Sequence, residues 1–140
     1  MRLLKFITLE RGVLGLRIAL GLTFLWFGGL KVAGFNPVYD IIYASALPLL
    51  ADGTGFLILG IFEVVIGVGL LLGILPIITD LALVGHLLGT LTVFFTGASV
   101  AFSPYFPILT LEGEFVFKNV VLLMAGFVVL RYNELYGKKK

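Results

Sequence analysis

The sequence predicts an all-α membrane protein, a bundle of four transmembrane helices with both termini on the cytoplasmic side. Three observations predict it. Four long apolar stretches, residues 12–30, 54–75, 81–102 and 115–130, carry most of the 140 residues. The hydrophobic fraction is 60%, the charged fraction 13% and the mean hydropathy +1.15, whereas a soluble domain is about 45–50% apolar and about 25% charged. Basic residues gather at the two ends. A helix needs about 20 mostly apolar residues to cross the hydrocarbon core. The first three stretches meet that length, and the fourth reaches it if its flanking aromatics sit in the interface.

Arg2, Lys5, Arg11, Arg131, Lys138, Lys139 and Lys140 lie at the ends, and Lys and Arg favour the cytoplasmic side. Four crossings put both ends on that side of a cell membrane. The basic start Met1-Arg2-Leu3-Leu4-Lys5 resembles a signal peptide, but the apolar run behind it lacks an obvious small-residue cleavage site, so the first helix is expected to be retained. Four crossings fill residues 1–140 as a single membrane domain. A net charge of +2 gives no reason to expect nucleic acid. The terminal basic residues point to anionic lipid instead. With no cysteine, thiol catalysis and iron–sulfur ligation are excluded. With one histidine as well, no metal site or protein-held haem is expected, although Glu63 and His86 could offer two ligands.

In chain order, Thr8-Leu9-Glu10-Arg11 suits the entry to the first span, and Gly34-Phe35-Asn36-Pro37 stops it, because proline cannot continue a helix interior. Residues 38–50 are too short to span. Tyr39, Ile42, Tyr43, Ala46 and Leu50 at helical spacing predict an interfacial or re-entrant helix there. The second span ends near Gly73, with Pro76 in the turn. Thr79 or Asp80 is a candidate cap for the third span. Ser103-Pro104-Tyr105-Phe106-Pro107 lies in the outer loop, and Arg131-Tyr132 marks the inner end of the fourth span.

An ionisable residue inside a membrane span marks a candidate functional site. Glu63 lies near mid-depth, with Gly60 and Gly67 on its helix face. Small residues admit a neighbouring backbone, so that face should point into the bundle. Arg17, with Gly21 and Gly28 on its side, is the expected partner of Glu63, and His86 with Gly89 and Thr90 lies at a depth similar to Arg17. Arg17, Glu63 and His86 therefore form the candidate buried cluster for a quinone or a proton. Lys31, Lys118, Trp26 and Thr90 are secondary candidates. Lys31 and Lys118 also read as interface anchors that snorkel to headgroups. Trp26, with Phe24 and Phe27, reads either as an interface belt or as the flank of an apolar ring.

The segment 16–31, from Leu16-Arg17 to Gly28-Gly29-Leu30-Lys31, resembles the opening of the DoxX-like family. Gly60-Ile61-Phe62-Glu63-Val64-Val65-Ile66-Gly67 is similar to its second-helix motif. Val116-Phe117-Lys118-Asn119 is similar to the start of its last helix, which usually reads Lys-Asp; Asn119 departs from that. The first two motifs also suit the branch that includes the reactive-chlorine resistance membrane protein. The resemblance implies a small four-helix membrane protein that serves as an accessory subunit in quinone-linked sulfur oxidation or in oxidative-stress defence. It implies a redox partner protein, an oligomer or complex, and quinone rather than a covalently held cofactor. Two other readings stand beside it. One is a transporter of small solutes or lipids, with residues 38–50 as a gate. The other is a structural assembly module clamped by the buried ion pair.

Overall fold

The computed structural model describes residues 8–137. The basic residues at positions 2, 5 and 138–140, and the signal-like start, lie outside the described residues. Helix α1 is Leu9–Val32, α2 Tyr39–Ala44, α3 Gly53–Leu72, α4 Pro76–Leu91, α5 Val93–Thr96, α6 Ala98–Ala101 and α7 Leu111–Tyr136. A 3₁₀ turn at Pro48–Leu50 precedes α3. Among the described residues, four helices are long and apolar enough to cross a membrane: α1, α3, the run from Pro76 to Thr96, and α7. The architecture is that of a multi-pass membrane protein.

The spans were legible from hydropathy, but the first and fourth extend outward at both ends, while the second stops at Leu72 and the third runs from Pro76 to Thr96. The Thr8 hydroxyl accepts from Arg11 N–H and caps α1. The Thr110 hydroxyl accepts from Gly113 N–H, so α7 begins at Leu111 rather than near 115. Glu112 and Glu114 then stand in its first turn, where the helix dipole favours anions. At its other end α7 continues past Arg131 to Tyr136.

The third span departs most from expectation. Pro76 does not lie in the turn but opens α4 as its first residue, where its missing N–H is no loss. Thr79 and Asp80 therefore sit inside the helix and do not cap it. Gly73 closes α3 at φ +69°, a left-handed cap that glycine adopts without strain. At its far end the third span breaks at Thr92 and Gly97 into two short turns, so it is not one helix through residue 102.

Glycine sets the packing of α1 on α3. A Cβ on Gly67 would lie 2.6 Å from Leu25 N, and one on Gly28 would lie 2.7 Å from Val64 N. Gly60 faces Gly28 and the Lys31 side chain, and Gly67 faces Gly21. The glycine face of α3 thus points into the bundle, as the spacing around Glu63 predicted. The two helices run antiparallel, with Gly21 level with Gly67 and Gly28 level with Gly60. The core of Leu20, Phe24, Ile66, Leu70, Leu83, Leu87 and Val129 fills the bundle along this seam.

Residues 38–50 form a lid at the Lys31 end. The lid is tied to the third span: Ala46 N–H donates to the Thr92 hydroxyl at 3.0 Å, and the Thr96 hydroxyl donates to Ala44 C=O. Asn36 donates to Ala51 C=O across the base of the lid.

Candidate functional site

Glu63 stands about midway along α3, and its carboxylate is held at both oxygens. Lys31 Nζ donates to Oε2 at 2.7 Å. His86 Nε2 lies 3.1 Å from Oε1. Lys31 is 7% exposed and Glu63 4%, so the pair is hidden from solvent. Side chains on a helix lean toward its N-terminus. Lys31 leans back along α1, and Glu63, on the antiparallel α3, leans the opposite way. The two meet at the level of Gly28 and Gly60, where the absent side chains leave room.

The same geometry overturns the expected Arg17–Glu63 pair. The register places Arg17 level with Leu71, and its guanidinium packs against Gly73. Ten residues of α3 separate Gly73 from Glu63, about 15 Å at about 1.5 Å per residue. Arg17 also leans away from Glu63, toward the start of α1. It belongs to a second polar group, where its charge acts on Asp80. Asp80 is 1% exposed, and its Oδ2 accepts from Asn133 Nδ2 at 2.8 Å. Arg17 Nε and Asp80 Oδ1 are buried without a hydrogen-bond partner.

Of the predicted cluster, then, Glu63 and His86 come together and Arg17 does not. Lys31 takes its place and is a core ion rather than an interface anchor. His86 lies midway along the third span, Pro76 to Thr96, rather than early in it, because α4 starts at Pro76. Gly69 packs on Thr79, which sets α3 against α4 and brings Glu63 level with His86. The imidazole is fixed between rings, edge-on to Phe24 at 5.2 Å between centroids and tilted against Phe62 at 6.2 Å.

The three ionisable groups form one wall of a cavity of about 430 Å³. Phe24, Phe27 and Phe62 make its sides, and Ile41, Ala46 and Leu47 of the lid roof it. Thr90 lines it too, with its hydroxyl donating to His86 C=O. Asn119 of α7 lines the side away from α3. The remaining candidates fall elsewhere. Trp26 is 70% exposed on the outward side of α1, while Phe24 and Phe27 line the cavity. Lys118 is exposed. Among the described residues, no third His, Asp, Glu or Cys joins Glu63 and His86 as a metal group.

This arrangement supplies an ammonium, a carboxylate and an imidazole in contact, beside an apolar space of ligand size. Ligand pockets hold about 300–1,000 Å³ and pair apolar walls with a few convergent polar groups. An imidazole against a carboxylate can carry a proton, and the ammonium can polarise a carbonyl oxygen. Comparison with protein-family models, curated proteins and solved structures gives no match.

Proposed function

We propose that this chain is a DoxX-like protein of the cell membrane, an accessory subunit of a quinone-linked redox or oxidative-stress-defence complex. In this reading a quinone ring docks in the cavity against Lys31, Glu63 and His86. Both termini face the cytoplasm, and the lid covers the outer end. One observation carries the reading: Glu63, with Lys31 against one carboxylate oxygen and His86 against the other, faces an otherwise apolar, ring-lined cavity inside a bundle of apolar helices. Burying a charge costs several kcal/mol even after relaxation. A clamp between helices needs the ion pair but not the space beside it. A quinone headgroup uses both, since its carbonyl accepts from Lys31 or His86 and the His86–Glu63 contact gives a proton route.

Purification from native membranes in mild detergent, with mass spectrometry of extracted lipophilic molecules and of co-purifying proteins, tests this. Quinone and a redox partner should be retained. A preparation that carries no quinone and takes up no added decyl-benzoquinone contradicts the reading. A Glu63→Gln variant with full quinone binding and full stress resistance rules out the proton role.

A transporter of small solutes or lipids is the second reading. It draws on the break in the third span at Thr92 and Gly97, close to the cavity roof, since interrupted helices place free backbone groups at a substrate. Solute uptake into proteoliposomes separates the two.

A further inference from the structure

The ring contact between Phe27 and Phe115, edge-on at 5.9 Å, sets α1 against the antiparallel α7. Asn119 lies one turn beyond Phe115 and is therefore level with Thr23, while Glu63 is level with Leu25. The Lys31–Glu63–His86 wall and the Asn119 amide thus stand at nearly one depth. They belong to different helices around the same cavity.

The polar groups around this space are not equally occupied. Lys31 and His86 share Glu63. The Thr23, Ser45 and Thr90 hydroxyls donate to the carbonyls of Ala19, Ile42 and His86. The Asn119 side chain makes no hydrogen bond to any described residue. A primary amide brings two donors and a carbonyl acceptor, and half-buried Asn119 in the cavity lining has no protein partner for them among the described residues.

We propose that Asn119 is the second recognition group of the cavity, bonding the ring oxygen farther from Lys31. This rests on the quinone reading above and adds what sets its specificity. A benzoquinone-type ring carries oxygens on opposite edges. The amide donates to a carbonyl oxygen and accepts from a hydroxyl, so it serves the oxidised and the reduced ring alike. The Lys31–Glu63–His86 wall has the same two-way capacity at the other edge. The site therefore holds both forms with similar affinity and does not discriminate between them.

The test compares the full-length protein with Asn119→Leu, which keeps the side chain's size without its polar atoms. Dissociation constants are measured in lipid nanodiscs for decyl-benzoquinone, for its anaerobically reduced quinol and for decylbenzene, which has no ring oxygen. Unfolding midpoints confirm the fold, and Asn119→Ala replaces the leucine variant if that one unfolds. Quinone and quinol should each bind roughly 3- to 10-fold more weakly to the variant, the worth of one net hydrogen bond, while decylbenzene binds at least as well as before. Unchanged quinone and quinol binding overturns the role of Asn119 and leaves the quinone site standing. Loss of only one form, or parallel loss of decylbenzene, also overturns it. A wild-type protein that binds neither ring form overturns the quinone reading and this inference together.

Discussion

Glu63 is stable in a low-dielectric interior because Lys31 and His86 each take one of its oxygens. Removing one partner of a buried ion pair leaves the other uncompensated, at a cost of about 3–5 kcal/mol, whereas an apolar replacement of both is often neutral. Lys31→Met should therefore destabilise the protein by about that amount. The Lys31→Met/Glu63→Leu double variant should recover most of it, as read by unfolding titration in mixed micelles. A cycle pairing Arg17→Met with Glu63→Gln should show additive losses, because the two side chains share no contact and independent sites add. Glu63 as a buried acid was legible in the sequence, since few other readings fit a carboxylate among glycines. Its partner was not. Lys31 stands at the end of α1, where snorkelling was the simpler reading, and the direction in which it leans emerges only once α3 lies alongside.

At the scale of elements, the α1–α3 seam depends on hydrogen atoms standing where side chains would otherwise be. Gly28→Ala and Gly67→Ala each press a methyl group against backbone of the facing helix, at 2.7 and 2.6 Å, and backbone cannot rotate away. Each should cost roughly 1–3 kcal/mol or more, the range for overpacked cores. Gly12→Ala and Gly29→Ala meet nothing within 4 Å, and should be neutral or slightly stabilising, by up to about 1 kcal/mol of helix propensity. Parallel unfolding measurements on the four variants check the contrast. Hydropathy alone located the four spans, because apolar length is a property of each segment. The register between spans depends on which glycines pair, and several pairings were open. Helix depth alone therefore sets Arg17 beside Glu63. The start of α4 is ambiguous in the sequence for a local reason: proline is as much at home in the first turn of a helix as in the loop before it, and with Pro76 in the loop Asp80 reads as a cap instead of a buried partner of Asn133.

For the whole molecule, the decisive feature is that the Lys31–Glu63–His86 wall faces space rather than packed side chains. Filling that space should separate stability from binding. Gly89 lines the cavity, and a Cβ there meets nothing within 4 Å. Gly89→Leu should leave the unfolding midpoint unchanged or raised, and should weaken decyl-benzoquinone binding at least tenfold. The cavity could not be foreseen from the sequence, since it depends on how the lid at residues 38–50 folds back and bonds to Thr92 and Thr96. The central claim is that the ionisable wall is where the ligand docks, and the chain's single histidine gives a direct view of it. Nitrogen-15 NMR of histidine-labelled protein reports the His86 ring without any need for assignment. On titration with decyl-benzoquinone its ring-nitrogen signals should move and saturate, and in the Gly89→Leu variant the same movement should need at least tenfold more quinone. Signals that stay fixed while the wild-type protein binds the quinone would contradict the account.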